Sequence, residues 1–533
     1  MSPDSPVATD NPQPGNQSAT GKPSAENQSV ESLAAEQSPA ANKFISGTVW
    51  VFLAEALIFP TGIVTAGILT RRLGADGYGI LTLGSVLVSW IEWTITSIFS
   101  RTAIKFISGA ADWRPVGTVI AQLHVFIGAA ATVVLWVFAT PIAELLDIPT
   151  FVPYLRLLAL DIPIFCLAYA HRQLLVGRGF FVPRAIASAG RWVARLAIIA
   201  VLVEWANWSI WGAILGSLGA SVVELLIGRW FVRPPLLSRS TFPARDLFGY
   251  ALPLFLFATS LRLFDKLDLF MLKIMGGTVA QAGIYGAAQN LAFVPGIFAL
   301  SFSPLLLSTL NQTIKDGHLS QAKTLASNAV RGVVALMPFV GLAAAAAVPV
   351  VKLVYGTAFV EAGPVLAVLI FAAMALVMIS VVTAILTAAG RPNLTAALVA
   401  PMLPISAVGY WLFVPRYGAM AACWVNFVAA LLGAIAALIA LYRIWQITPP
   451  AMTAIRSVLA GLCAYAIAAR WLTPDATFLY KLLLLSPLVP LMMLALGEIS
   501  RTEWQSIQTF SRDWLRRQKW FTSVRSMLGW GRK

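Results

Sequence analysis

Residues 68–85 read ILTRRLGADGYGILTLGS, and residues 271–289 read MLKIMGGTVAQAGIYGAAQ. Each stretch lies between two apolar runs and places a glycine-rich turn before a Tyr-Gly pair. The pairs Tyr78-Gly79 and Tyr285-Gly286 stand 207 residues apart. Two further landmarks follow in the same order. LLVGRGFFVPRA (174–185) answers to LTAAGRPNLTAA (386–397), with Gly177-Arg178 and Gly390-Arg391 213 residues apart. WGAILGSLGA (211–220) answers to YGAMAACWVN (417–426), with Gly212 and Gly418 206 residues apart. Agreement of order and spacing together predicts an internal duplication. Each copy is expected to hold six helices, an even number, so both copies insert with one orientation. That is a parallel repeat about an axis along the membrane normal, an arrangement that puts a substrate path between the halves and works by alternating access.

The surrounding chain fits this reading. Of 533 residues, 58% are hydrophobic and only 11% charged, against about 25% charged in a soluble domain. A water-soluble core cannot absorb so much apolar sequence, whereas each bilayer-spanning helix needs roughly 20 apolar residues. The expected class is all-α, a polytopic membrane protein of about fourteen spans. They are expected near 45–70, 79–100, 116–140, 153–176, 183–203, 208–230, 247–274, 282–308, 326–349, 363–388, 394–413, 418–442, 452–472 and 477–497. Residues 1–42, rich in Ser, Pro, Asn, Gln and Ala, are expected to be a disordered cytoplasmic tail and lack the layout of a signal peptide. Residues 43–240 make a first lobe of six helices, 241–446 a second, and 447–500 an appended helix pair. In 501–533, Trp504, Ile507, Phe510 and Trp514 recur at helical spacing among Arg512, Arg516, Arg517 and Lys519. That pattern predicts an amphipathic helix on the cytoplasmic leaflet. Pro60, Pro253, Pro295, Pro304, Pro338, Pro349, Pro401 and Pro404 interrupt the apolar runs and predict kinks.

Basic residues set the orientation. With the N-terminus inside, the inner loops carry Arg101, Lys105, Arg114, Arg172, Arg178, Arg184, Arg229, Arg233, Arg239, Arg245, Lys315, Lys323, Arg331, Arg391, Arg443 and Arg456. The outer loops carry Arg71, Arg72, Arg156, Lys273, Lys352, Arg416, Arg470 and Lys481. Both termini are therefore expected in the cytoplasm. The net charge of +15 reads as this topology signal facing anionic lipid, and no nucleic acid partner is implied.

Ionisable residues inside spans usually face a cavity. The candidates are Glu55, Glu92, Arg191 and Arg195 (the last two on one face at i, i+4), Glu224, and Arg262, Asp265, Lys266 and Asp268 within seven residues. Arginine suits phosphate, binding its oxygens as a bidentate fork. Carboxylates and amides suit sugar hydroxyls. Arg262 lies i, i+3 from Asp265 and has an internal salt bridge as its alternative. Asn290 and Gln289 are weaker candidates, with helix-to-helix hydrogen bonds as the simpler reading. Cys166, Cys423 and Cys463, like His124, His171 and His318, have no metal-ligand spacing. No cofactor or metal is expected. No P-loop occurs, which disfavours ATP as the energy source; proton or sodium coupling through Glu55, Glu92 or Asp265 fits better.

The stretches LTRRLGADGYGILTL, DKLDLFMLKIMGG and GIYGAAQNLAFVPGIFALSFSPLLLSTL resemble the polysaccharide transporter family. This is the Wzx-type O-antigen and exopolysaccharide flippase branch of the multidrug/oligosaccharidyl-lipid/polysaccharide superfamily, and the similarity runs over roughly residues 44 to 445. The resemblance implies two six-helix lobes in a V around a central cavity, often with two extra helices. It implies movement of an undecaprenyl-diphosphate-linked oligosaccharide from the inner to the outer leaflet of a bacterial inner membrane. Expected partners are that lipid-linked sugar, membrane lipids, and the polysaccharide polymerase and chain-length machinery. A multidrug or metabolite cation antiporter of the same superfamily is the first alternative, but it would favour an acidic, aromatic cavity over arginines. A polymerase or ligase would need a large outer loop with catalytic residues, and none is present, so no enzyme activity is expected. A scaffold within an assembly complex would not need charges within its spans.

Overall fold

The computed structural model describes residues 53–110, 112–236, 238, 267–447, 451–470 and 486–498. Among these the regular structure is all helical. The first half holds α1 (Ile58–Gly109), α2 (Trp113–Leu145), α3 (Phe151–Ala159), α4 (Asp161–Gly177), α5 (Phe181–Ile199) and α6 (Ser209–Phe231). The second holds α7 (Val279–Ala292), α8 (Val294–Lys315), α9 (Leu319–Ala335), α10 (Met337–Ala345), α11 (Ala347–Tyr355), α12 (Ala362–Ala388), α13 (Pro392–Val399) and α14 (Met402–Trp445). The appended pair is α15 (Ala451–Arg470) and α16 (Leu488–Ala495). The two tails, 1–42 and 501–533, lie outside the described residues, as does most of the helix expected over 247–274.

Eight described helices are long and apolar enough to cross a membrane. Two of the eight are helix pairs run together, broken only at Gly74 (φ 67°, ψ −175°) and Gly418 (φ 56°, ψ −137°). Glycine has no Cβ to forbid these positive-φ dihedrals, so the helix can break there at a single residue. Prolines account for other breaks. The expected span 282–308 divides at Phe293 ahead of Pro295, and the span 326–349 divides at Leu336 ahead of Pro338. The span expected over 153–176 likewise splits at Leu160. Helix α6 has 23 residues, about 34 Å at 1.5 Å per residue, enough for a hydrocarbon core of about 30 Å. Exposed Trp208 and Trp211 mark one end and exposed Trp230 the other, as interfacial tryptophans do. Helices α2 and α14 expose Phe126, Val133, Val137, Leu412, Val428 and Ile435, a surface suited to lipid.

Positive-φ residues recur through the two halves in matching order: Gly74 with Gly276, Asp147 with Gly356, Gly179 with Gly390, and Ser209 with Gly418. Their separations run from 202 to 211 residues. The backbone thereby corrects two anchors of the sequence comparison. Gly390 answers to Gly179 rather than Gly177, and Gly418 answers to the turn around Asn207 and Ser209 rather than Gly212, which lies within α6. Asn and Ser hold left-handed backbone without a glycine signature, so the sequence alone misaligns them by a few residues.

Among the described helices, the substantial packing between halves runs through α1, against α7, α11 and the 3-10 turn Thr357–Phe359. The approach is backbone to backbone. A Cβ at Gly79 would lie 2.1 Å from the Val279 carbonyl oxygen, and one at Gly283 would lie 2.2 Å from that of Ala75. The Tyr78 ring meets Phe359 edge-on at 5.7 Å, and Asn290 Nδ2 donates to Tyr78 Oη at 2.9 Å. At the far side of the second half, α15 packs on α9 and α10. Buried Glu498 accepts from Arg331 Nε at 2.7 Å and Arg456 Nη1 at 3.1 Å, clamping the appended pair to α9.

Candidate functional site

Helix α5 sets Arg184, Ser188, Arg191 and Arg195 at intervals of four, three and four, so all four share one face. Three neighbours meet that face. Glu55, in the helical turn before α1, accepts from Ser188 Oγ at 3.1 Å and pairs with Arg184 at 3.4 Å. Glu224 on α6, 1% exposed, accepts from Arg191 Nη1 at 3.1 Å through one oxygen. Through the other it accepts from Arg172 Nε of α4 at 2.9 Å. Aromatic faces complete the shell: Arg191 stacks over Phe165 at 4.3 Å and Arg172 over Tyr169 at 5.2 Å. Delocalised guanidinium tolerates such surroundings better than an ammonium does.

Deeper along the same face the pairing ends. Glu92 on α1 and Asp161 at the start of α4 are 4% and 6% exposed, and each keeps one carboxylate oxygen without a hydrogen-bond partner. Among the described residues, half-buried Arg195 forms no ion pair, and its Nε is likewise without a partner. Glu92, Asp161, Arg191, Arg195 and Glu224 lie within electrostatic range of one another, and Arg195 is also within range of Tyr78. The exposed amide of Asn290 holds that Tyr78 hydroxyl from the second half. The four arginines and the four carboxylates Glu55, Glu92, Asp161 and Glu224 balance when all are ionised. Buried groups without partners inside a membrane are costly, so the cluster of Glu92, Asp161 and Arg195 is the place where a polar ligand gains most.

A second polar centre lies in the other half. Asp268 is fully buried. It accepts from Tyr285 Oη at 2.7 Å, Gln289 Nε2 at 2.7 Å, Asn426 Nδ2 at 2.7 Å and the Leu269 amide at 2.8 Å. Tyr285 and Gln289 stand i, i+4 on α7, and Asn426 comes from α14. The aspartate ties three segments together, a role in packing. Asp268→Asn is expected to lower unfolding stability by about 1–3 kcal/mol, the cost of setting buried donors against an amide. Thermal unfolding in detergent measures it, and an unshifted Tm would refute the role.

The sequence candidates thus separate. Arg191, Arg195, Glu55 and Glu92 come together in the first half. Asn290 reaches Tyr78 across the halves, and Asp268 sits in the second centre with Gln289. Arg262, Asp265 and Lys266 lie outside the described residues. Arg172 and Arg184, expected in an inner loop, stand instead within α4 and α5 as partners of Glu224 and Glu55. Asp161 was missed, although its signal was present: a lone carboxylate in LLALDIPIF, inside an expected span.

Residues 44–305 match the family described as polysaccharide biosynthesis protein. The succinoglycan biosynthesis transport protein ExoT of Rhizobium meliloti is 28% identical over 341 residues. That match takes in 60% of this chain and 64% of the relative, so the chain spans just under two thirds of that protein's length. In fold, the chain resembles the lipid II flippase MurJ in an inward closed conformation, with a TM-score of 0.61, 15% identity, and coverage of 88% of this chain and 100% of that one. An inward-facing multidrug resistance MATE transporter follows at a TM-score of 0.58, with 14% identity over 77% of this chain and 95% of that one. Residues 44–305 of the chain are similar to the polysaccharide biosynthesis protein family, and the chain is a multi-pass membrane protein folded like the MurJ and MATE transporters.

Proposed function

We propose that the protein is a flippase that carries a polyprenyl-diphosphate-linked oligosaccharide from the inner to the outer leaflet of a bacterial inner membrane, by alternating access of two six-helix lobes. The family match and the transport protein among its relatives support the direction of this reading. The observation that carries it is Arg195, a cation without an ion pair among the described residues, beside the contact between halves. A diphosphate supplies the two negative charges and the acceptor oxygens that such a site lacks. Arg262 and Lys266 are further candidates for phosphate, and Asp265 for the sugar or a coupling ion. Membrane lipids surround the chain, and the polymerase and chain-length machinery are the partners that would receive its product. Both termini are assigned to the cytoplasm by the loop charges.

The unpartnered oxygens of Glu92 and Asp161 favour a second reading, a multidrug or metabolite cation antiporter. A leaflet assay separates the two. Proteoliposomes loaded with a labelled polyprenyl-diphosphate sugar should expose it to an external probe faster than empty vesicles do. Arg195→Ala should slow this by roughly tenfold or more, the worth of one charge-assisted hydrogen bond, with expression unchanged; Arg262→Ala tests the phosphate role of that residue in the same way. Exposure at the empty-vesicle rate would sink the flippase reading, and exchange of an organic cation for protons would establish the antiporter.

A further inference from the structure

The charges of the first-half site close without an occupant only when Glu92 and Asp161 are both ionised. Arg172, Glu224 and Arg191 form a triad of net charge +1, and Arg184 with Glu55 is neutral. Arg195 adds +1. The described site is therefore +2 before Glu92 and Asp161 are counted, and neutral when both are ionised. Glu92 faces Asp161 of α4, Arg191 and Arg195 of α5, and Glu224 of α6. Asp161 faces the same two arginines, with Ser221 and Glu224 of α6 and Glu92 of α1. Neither carboxylate has both oxygens satisfied, so neither is locked into a permanent ion pair as Glu224 is.

A diphosphate diester carries a charge of −2. Placed at Arg195 beside two ionised carboxylates, it leaves a net −2 in a low-dielectric site. With both acids protonated and no ligand, the site holds a net +2. Either state buries uncompensated charge, which is strongly unfavourable in a low-dielectric interior. Two states avoid this: empty with both acids ionised, and occupied with both protonated. We infer that diphosphate binding at Arg195 and protonation of Glu92 and Asp161 are positively linked, two protons entering the site with each diphosphate. The inference rests on the flippase reading and adds its proton stoichiometry. It also gives the linkage a sign opposite to that of a cation exporter, whose substrate competes with protons for the same carboxylates.

The test is calorimetric titration of the purified full chain with a farnesyl-diphosphate-linked monosaccharide. Both charges of this diester stay ionised from pH 6 to 9, so its own titration does not intrude. Repeating the titration in buffers of different ionisation enthalpy counts the protons. The wild type should take up nearly two at its maximum, Glu92→Gln and Asp161→Asn one each, and the double variant none. By the reciprocity of linked binding, the double variant should also bind more tightly than the wild type at pH 9, by roughly tenfold or more; a protein merely damaged by the substitutions would bind more weakly. Proton release, a maximum below half a proton, or equal uptake by wild type and double variant would overturn the linkage while leaving the anion site standing. Absence of binding by every form across the pH range would overturn the anion site and the linkage with it.

Discussion

Glu224→Ala should cost about 3–5 kcal/mol of stability, the range for removing one partner from a buried ion network. The reason lies in what is left behind. Arg172 and Arg191 both direct guanidinium groups at this carboxylate, and each is only 13% exposed. Without Glu224 two like charges remain side by side between α4, α5 and α6, with no solvent to absorb them. Glu224→Gln keeps the shape and loses the charge, so it should also be strongly destabilised. A triple variant, Arg172→Met, Glu224→Leu and Arg191→Met, removes every member and should recover most of the loss, because replacing a whole buried triad by apolar groups is often neutral or stabilising. Thermal unfolding in detergent, read by size-exclusion recovery, gives all three. An unchanged Tm for Glu224→Ala would show that the arginines find other acceptors.

Gly283→Leu should abolish transport. Its Cβ would fall 2.2 Å from the Ala75 carbonyl oxygen and 2.8 Å from the Gly79 nitrogen. Real contacts do not come so close, and both atoms belong to backbone, so α1 and α7 have to separate. Gly79 and Gly286 meet the opposite helix in the same way, at 2.1 Å from Val279 and 2.5 Å from the Thr82 side chain. Overpacking of this kind costs about 1–3 kcal/mol. The functional loss should exceed the stability loss, because this is the main contact between halves among the described helices and the proposed alternating access would re-form it in every cycle. Gly283→Ala should fall between wild type and Gly283→Leu. Gly62→Ala, with nothing within 4 Å of its Cβ, should behave as wild type. The leaflet assay and thermal unfolding, run on the same preparations, separate the two losses. Full transport by Gly283→Leu would remove the α1–α7 contact from the cycle.

The amino-acid order by itself determined the class and the broad plan. An apolar stretch of 20 residues has one stable solution in a bilayer, because backbone groups in hydrocarbon must pair within their own helix. Hydropathy therefore placed α6 and α12 to within a residue or two, at 208–230 and 363–388 against Ser209–Phe231 and Ala362–Ala388. Glycine at positive φ made the duplication visible, since few other residues hold that turn. Where Asn207 and Ser209 hold it, the alignment slipped. Proline signalled the breaks at Phe293 and Leu336 but not how the pieces pack.

Pairing was decided only by the tertiary structure. Nothing in the local sequence says that Glu224 takes both Arg172 and Arg191, 52 and 33 residues away, or that Asp268 joins α7 to α14 while Arg195 lies near Glu92 and Asp161 without a direct ion pair among the described residues. Ion pairs and interhelical hydrogen bonds depend on which faces of distant helices meet, and that follows from packing, not from spacing along the chain. The Tyr78-Gly79 and Tyr285-Gly286 pairs show both levels at once. Their repetition was legible in residues 68–85 and 271–289, whereas their seating against each other across the two halves required α1 and α7 to come within backbone distance.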